Sequence, residues 1–546
     1  MSEASFAIKS LTSSAPLSKT RFVHGMQCPL YVWLEVRTDM PRPEVDTFTK
    51  ALFVAGNEVG EYARQRWDRR LIAAGKVPGI RVTDDPEKHG EAVAETVAAL
   101  AAGAEVIHEA AFTFEGVKVR IDVLERLEDG TFAVNEVKST SKYERKKHLR
   151  DAAVQLWVVR GAGLDVSRVN LVHLNSTYVW PGGDYDLEQL FIERDVTTEA
   201  EALQESVGVD VARLLRVLNS DEQPIVPEDT SCTTPYDCPY LDICPVLGDP
   251  VEHPISELPG CKRGKGMHKT VTEEGFVSLL DLNDDAARRL LHNAGSTQIN
   301  LCWYNTWKAA STGERIVLPA CRAWLDSVEY PILHLDFETI ASALPIVKNT
   351  HPFQQVPLQY SLHIEQADGA MEHREFLAAA EDSDPRGCLI ERLLTDLGES
   401  GMIMRWSPFE STRLQELADD PRYGEYRNRI LAVLVRIQDL GKDVVAQWVF
   451  DAGFHGKWSI KKVYPVLVPG ADPDDAHEDT GVISYDDLDG CARGDEAAML
   501  LLEYLRPLTT RERRAEIRRQ LLQYCKLDTW AMVEILRALR EECAQA

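Results

Sequence analysis

The sequence predicts an α/β protein built as two domains with a helical connector, and three observations predict it. A chain of 546 residues with 44% hydrophobic content exceeds the roughly 250–300 residues at which one core stops growing. Apolar positions alternate with period two and then repeat at helix spacing in two separate stretches, one before residue 175 and one after residue 330. Between them, the Pro- and Cys-rich text from Pro224 to Pro259 has few periodic apolar positions, as a boundary or irregular cap would. The expected divisions are 1–250, 251–328 and 329–546.

In the first division, Phe48 to Trp67 and Glu91 to Ala102 carry helix-compatible apolar spacing. Val117 to Leu124 and Phe132 to Lys138 read as strands around Glu128-Asp129-Gly130, a turn in which glycine accepts positive φ. Asp151 to Gly161 reads as a helix and Val169 to Leu174 as a further strand. Residues 260–325 read as helical. Strands are expected at Tyr330 to Leu335, Leu358 to Ile364 and Met402 to Trp406, and helices at Tyr426 to Leu440 and Arg511 to Arg540.

The formal net charge of −27 repels phosphates over the surface as a whole. Binding to nucleic acid would need local charge. Two basic runs offer it, Lys138, Lys142, Arg145, Lys146, Lys147 and Arg150 in one, and Arg511, Arg513, Arg514, Arg518 and Arg519 in the other; each also reads as a solvated helix face. No apolar run reaches the ~18–20 residues that cross a bilayer, and Met1 to Thr20 lacks a basic start followed by an apolar stretch. A cytoplasmic protein is expected. Eleven scattered cysteines argue for metal ligation or burial over a disulfide framework.

Side chains two apart on a strand share a face, so Glu136 and Lys138 in Asn-Glu-Val-Lys point the same way. Asp122 on the preceding strand can sit across from them, Glu109 can add an oxygen, and Gln155 on the next helix can fix a nucleophile or substrate. Two carboxylates can hold Mg²⁺ or Mn²⁺, and the lysine can stabilise charge. An ordinary charged hairpin would look the same. The order Glu109, Arg120-Ile-Asp122, Glu136-Val-Lys138 and Gln155 resembles the PD-(D/E)XK nucleases of the RecB and AddB type. It departs from them in having Val159 where a tyrosine is usual, and Glu58 as the nearest match to an early histidine.

Cys28, in Gly-Met-Gln-Cys-Pro, precedes this set, and Cys232-x5-Cys238-x5-Cys244 follows it. In the iron–sulfur members of that superfamily, one early and three late cysteines hold a 4Fe-4S cluster, which the resemblance implies for Cys28, Cys232, Cys238 and Cys244. Thiolates suit such clusters. A structural Zn²⁺ on the same four ligands and plain burial remain as alternatives.

Asp336 and Glu338 project from one face of a strand in His-Leu-Asp-Phe-Glu, and Tyr524 and Asp528 stack on one side of a helix. This pair of elements resembles the DnaQ-like exonucleases of the DEDD type, in the variant that uses tyrosine. Such enzymes use two metal ions, normally at a 3′ end. The resemblance calls for a further acid, for which Glu410 in Trp-Ser-Pro-Phe-Glu is the first choice and Asp439 the second. Lys461 reads equally as a phosphate contact and as a basic helix start.

The stretch from Leu17 to Thr529 resembles a bacterial family of unassigned function that fuses these two nuclease types. The likeness is carried by Gln27-Cys28-Pro29, Glu136-Val137-Lys138-Ser139, Pro235-Tyr236-Asp237-Cys238-Pro239, Asp336-Phe337-Glu338-Thr339 and Tyr524-Cys525-x2-Asp528-Thr529. It implies a restriction-endonuclease-like N-terminal core and an RNase H-like C-terminal core, with Asp122, Glu136, Asp336, Glu338 and Asp528 as metal ligands. The expected activity is Mg²⁺- or Mn²⁺-dependent hydrolysis of nucleic acid, DNA favoured over RNA, with a separate helicase or a defence-system protein as candidate partner. A nucleic-acid-binding scaffold with one or both centres inactive is the alternative. A built-in motor is not expected, because Gly260-Cys-Lys-Arg-Gly264-Lys265-Gly266 has the wrong spacing for a phosphate loop.

Overall fold

A computed structural model describes residues 16–37, 45, 47–226, 232–244, 251–293, 296–469, 485, 488, 490–491 and 493–545. They form a mixed α/β protein with two mixed sheets and many helices. The chain divides into two compact units: the described residues up to 250, with 343–345 and 351–353, make the first, and the remainder make the second. Residues 251–328, expected as a connector, therefore lie within the second unit. No helix among the described residues is long and apolar enough to cross a membrane.

The first unit is organised on a sheet of β1 (Leu17–Ser18), β2 (Ile80–Arg81), β3 (Val106–Phe114), β4 (Val117–Arg126), β5 (Phe132–Lys138), β6 (Val166–Leu174) and β7 (Phe191–Asp195), in the order β2-β3-β4-β5-β6-β7 with β1 on β4. β4 shows why the strands form: Val117, Val119 and Ile121 alternate into one core between the less buried Lys118, Arg120 and Asp122, and Val123 joins a second cluster with Trp67 and Val172. The β4–β5 hairpin closes at Gly130, φ +86°, with the Asp129 carboxylate accepting the Thr131 N–H at 2.9 Å. β5 and β6 are parallel, so their connection must cross over. The helix Arg145–Gly161 makes that crossing and buries Ala152, Ala153, Leu156 and Val159. Leu17 pairs parallel with Val117, and Ser18 Oγ caps the helix Lys19–Gln27 by accepting the Arg21 N–H at 3.2 Å. That cap fixes Lys19 beside the sheet.

In the second unit a two-stranded ribbon, β8 (Ile316–Val317) with β14 (Val449–Phe450), accompanies a five-stranded sheet. The latter contains β9 (Ile332–Ile340), β10 (Val356–Glu365), β11 (Met371–Leu377), β12 (Met402–Arg405) and β13 (Ile437–Asp439), in the order β11-β10-β9-β12-β13. β9 to β11 form an antiparallel meander, and β12 and β13 add in parallel. Every residue of β10 is buried, so both faces of the sheet are covered. Leu333, Leu335 and Phe337 pack with Leu389 and Leu393 of the helix Arg386–Leu397. Ile332, Ile340 and Leu358 pack with Leu521, Leu527 and Ile535 of the helix Arg511–Gln545.

The long helix expected from Tyr426 to Leu440 is interrupted. It runs from Arg427 to Leu434 and gives way to β13. The Arg436 guanidinium explains the break by donating to the carbonyls of Gly401 at 2.9 Å, Gly398 at 2.8 Å and Leu397 at 3.1 Å. Helical residues 251–328 enclose a core of their own around Leu258, Val271, Leu279, Leu290 and Trp307.

Candidate metal centres

The first centre forms where β4 and β5 part. Their last ladder pair is Val123 with Asn135, and beyond it Asp122 Oδ2 accepts the Val137 N–H at 2.7 Å. Glu136 is buried, and three groups donate to it: Lys19 Nζ at 2.7 Å and Lys138 Nζ at 3.0 Å to Oε1, and Gln155 Nε2 at 2.5 Å to Oε2. Lys138 also pairs with Asp151. Glu109 lies within β3. Its φ of +59° kinks the strand between the pairs His108–Val123 and Ala110–Ile121, abreast of Asp122, and Arg64 Nη1 meets its carboxylate at 2.8 Å.

Burial, with the Glu136 charge beside it, pushes the Asp122 carboxyl up to about 8. Burial pushes Glu136 the same way, but Lys19 and Lys138 overcome it and hold that carboxylate below its ordinary range. Burial raises Glu109, against the pull of Arg64 and Lys19. Gln155 Nε2 donates also to the Arg120 carbonyl at 3.1 Å, while its Oε1 is buried without a hydrogen-bond partner among the described residues. Glu58 is exposed and lies near Tyr185, and Val159 is packed in the core.

The same unit gathers the four cysteines. Cys28 falls between the helices Lys19–Gln27 and Pro29–Glu35, and Gln27 Nε2 donates to the Tyr236 carbonyl at 2.7 Å, joining the early segment to the late one. The Cys238 N–H donates to the Cys232 carbonyl at 2.8 Å. Cys28, Cys238 and Cys244 pack on Leu30, Trp33, Leu34 and Tyr240. Burial pushes the Cys238 thiol up to about 11, and Cys28, Cys244 and Cys232 are all close enough to add to the rise. Four thiols drawn into one neighbourhood across more than two hundred residues of sequence are the donor type that a thiophilic metal or cluster takes.

In the second centre, β9 presents Asp336 and Glu338 toward the helix Arg511–Gln545, which supplies Tyr524, Cys525 and Asp528. The ligand atoms of Asp336, Glu338 and Cys525 lie within 4.8 Å of one another, and the Cys525 thiol donates to Asp336 Oδ2 at 3.5 Å. Tyr485 and Tyr524 both donate to Asp528. Glu410, in the first turn of the helix Phe409–Asp419, joins them: burial, with Asp439 and Asp528 nearby, pushes its carboxyl up to about 8 despite Arg405. Its Oε2 is buried with no hydrogen-bond partner among the described residues.

Burial and then mutual repulsion raise Asp336 and Glu338 well above the carboxylate range, and burial raises Asp528. Four carboxyls this close cannot all ionise in a dry pocket without a compensating cation. Lys461 supplies one positive charge, its Nζ 4.8 Å from the Tyr524 ring centroid and 5.1 Å from that of Tyr485. Asp439 is engaged elsewhere: Oδ1 accepts the Lys442 N–H at 2.7 Å and Oδ2 pairs with Arg405 at 2.9 Å.

Residues 333–459, which include Asp336, Glu338 and Glu410, match the model of a domain of unknown function, DUF2779. An uncharacterized protein of Mycoplasma pneumoniae is 27% identical over 289 residues, covering 49% of this chain and 40% of that protein. An uncharacterized protein of Ureaplasma parvum is 27% identical over 146 residues, 25% of this chain and 21% of its own. The chain thus spans less than half the length of either relative. A solved structure described as "Crystal structure of SSO0001" covers 43% of this chain and 88% of its own at 15% identity, with a TM-score of 0.18.

Among the described residues, five of the eleven members of the basic runs pair with acids, Lys138 with Asp151 and four others. Lys147 pairs with Glu144 at 3.0 Å and Arg145 with Glu199 at 3.5 Å; Arg513 pairs with Glu503 and Glu516, and Arg514 with Glu381 at 3.2 Å. The groups that sequence reasoning missed are Lys19 and Asp151 at the first centre and Tyr485 at the second. Ser18 as a helix cap before Lys19 was a usable signal for the first of these; Tyr485 carries none.

Proposed function

We propose that this chain is a divalent-metal-dependent nuclease with two catalytic centres, one RecB-like and one DnaQ-like, acting on nucleic acid and preferentially on DNA. The observation that carries the reading is the convergence of Asp336, Glu338, Glu410 and Asp528 in one cluster, buried except for a half-buried Asp336, where an unpartnered carboxylate oxygen and raised protonation both favour a cation. Asp336, Glu338, Glu410 and Asp528 would hold Mg²⁺ or Mn²⁺ at the second centre, and Asp122 and Glu136 at the first. Bound there, such an ion supplies Lewis-acid charge and an acidified water for phosphodiester hydrolysis. The Tyr524 phenol, fixed against Asp528, orients the attacking water. Lys461 offsets phosphate charge at the pocket, and Lys138 does so at the first centre.

A second reading keeps the DnaQ-like centre as the nuclease and the first as a structural or binding element. It is favoured by Glu136 Oε1, which Lys19 and Lys138 already occupy. End-labelled single- and double-stranded DNA and RNA, digested with Mn²⁺, test both. Asp336→Ala should remove 3′-end trimming, and Asp122→Ala should remove the remaining cleavage. A double variant as active as the parent would refute the nuclease reading, and an Asp122→Ala protein without any loss would leave only the second centre.

The four thiols are proposed to hold a 4Fe-4S cluster. Protein purified without oxygen should be brown, with broad absorbance near ~400 nm that Cys238→Ser removes. Colourless protein with stoichiometric Zn²⁺ would replace the cluster with a zinc site.

A further inference from the structure

We propose that His253, Glu257 and His455 form a separate site in the second unit for a borderline transition-metal dication, Zn²⁺ above all. His253 Nδ1 lies 2.8 Å from Glu257 Oε2, and His455 Nδ1 lies 2.9 Å from Glu257 Oε1. The three ligand atoms lie within 4.8 Å of one another, and the two imidazoles are near parallel at 24° with centroids 5.5 Å apart. Two imidazole nitrogens and one carboxylate suit Zn²⁺, whereas Mg²⁺ takes oxygen ligands; three protein ligands leave a position for water.

The backbone is bent to make this arrangement. His253 has φ +46° and His455 φ +49°, both in the left-handed region that side chains rarely adopt. Next to His455, Gly456 has φ +66°, and a Cβ there would fall 1.5 Å from the Glu257 carbonyl oxygen, so only glycine admits this approach. Glu257 ends the short helix Ile255–Glu257, and the Leu279 N–H donates to the His253 carbonyl at 2.7 Å, which pins His253 from the other side. The side chain of His455 is 55% exposed, against 10% and 14% for His253 and Glu257, so the site opens to solvent on one side.

The ion would fasten the segment around Ile255 to the loop that follows β14. That loop leads into the helix Ile460–Leu467, which carries Lys461. Zn²⁺ here is therefore an anchor for the loop and independent of the nuclease reading. A hydrogen-bonded His–Glu–His cluster that holds no metal is the competing account.

The full-length chain, stripped with chelator and reloaded with Zn²⁺ alone, tests it by elemental analysis and by competition with a chromophoric chelator. The parent should hold one more Zn²⁺ per chain than His455→Ala, and that ion should resist a roughly hundredfold excess of Mg²⁺. Glu257→Gln keeps a hydrogen-bonding group of the same size and should weaken this binding by more than roughly tenfold, the loss that even an outer-shell change produces. Equal Zn²⁺ content and affinity in the parent and both variants would overturn the site, as would displacement by Mg²⁺. His455 is exposed, so its replacement leaves the core intact, and circular dichroism of each variant verifies the fold.

Discussion

Asp336→Asn, placed in an Asp122→Ala background, is expected to lower Mn²⁺-dependent 3′-end trimming by about a thousandfold, equivalent to roughly 4 kcal/mol in the barrier. The amide keeps the size of the carboxylate but removes a charge from a cluster where four acids converge. The same variant should change the pH dependence of stability. Carboxyls raised in the folded protein bind protons more tightly there than in the unfolded chain. Their protonated forms are tolerated at acid pH. Stability is then lost as pH rises from the unfolded value near ~4 through the folded values, about 8 for Glu410. Metal-free parent should accordingly melt at lower temperature at pH 8 than at pH 5.5, while Asp336→Asn, with one repelling charge fewer, should show a shallower decline. Mn²⁺ should stabilise the parent more at pH 8 than at pH 5.5, because there it meets ionised ligands. A parent whose melting temperature is flat over this range would contradict the crowded-carboxyl account.

Glu136→Ala should destabilise the first unit by about 3–5 kcal/mol, the usual cost of removing one partner from a buried ion cluster. The Glu136 side chain is 2% exposed and holds Lys19, Lys138 and Gln155 at once. Truncation leaves two largely buried ammonium groups facing Asp122, Asp151 and the more distant Glu109, and leaves the Gln155 amide without one of its acceptors. Urea denaturation followed by fluorescence of Trp33 and Trp67, both buried in this unit, should show a lower midpoint with an unchanged slope. Glu136→Gln should cost less, since it can still accept from one lysine. An unshifted midpoint in both variants would mean that the lysines do not depend on Glu136.

Much of the framework was legible because it rests on periodicity. The alternation in β4 and β5, the two-residue spacing of Asp336 and Glu338 and the four-residue spacing of Tyr524 and Asp528 each express one geometric repeat. Features that depend on a single residue's backbone were not. Glu109 belongs to a strand that it kinks, and no neighbouring residue announces a positive φ. Arg436 ends a helix by capturing four distant carbonyls, that of Ser400 among them, which no local propensity encodes. Lys19 reaches Glu136 and Asp151 reaches Lys138 from two different helices, so their roles exist only in three dimensions. Choosing between Glu410 and Asp439 needed the same information: Glu410 follows β12 and Asp439 ends β13, but the second is committed to Arg405 and to the Lys442 amide.

The helix Arg511–Gln545 is synthesised after every strand of the sheet it covers. During translation, Asp336 and Glu338 thus emerge long before Tyr524, Cys525 and Asp528 exist to enclose them. A polypeptide interrupted ahead of residue 511 would leave the two acids without that helix over them, and Leu358 and Ile340 without the apolar contacts of Leu521, Leu527 and Ile535. Ribosome stalling in that interval should therefore yield an aggregation-prone product in which Asp528 never joins Asp336, Glu338 and Glu410.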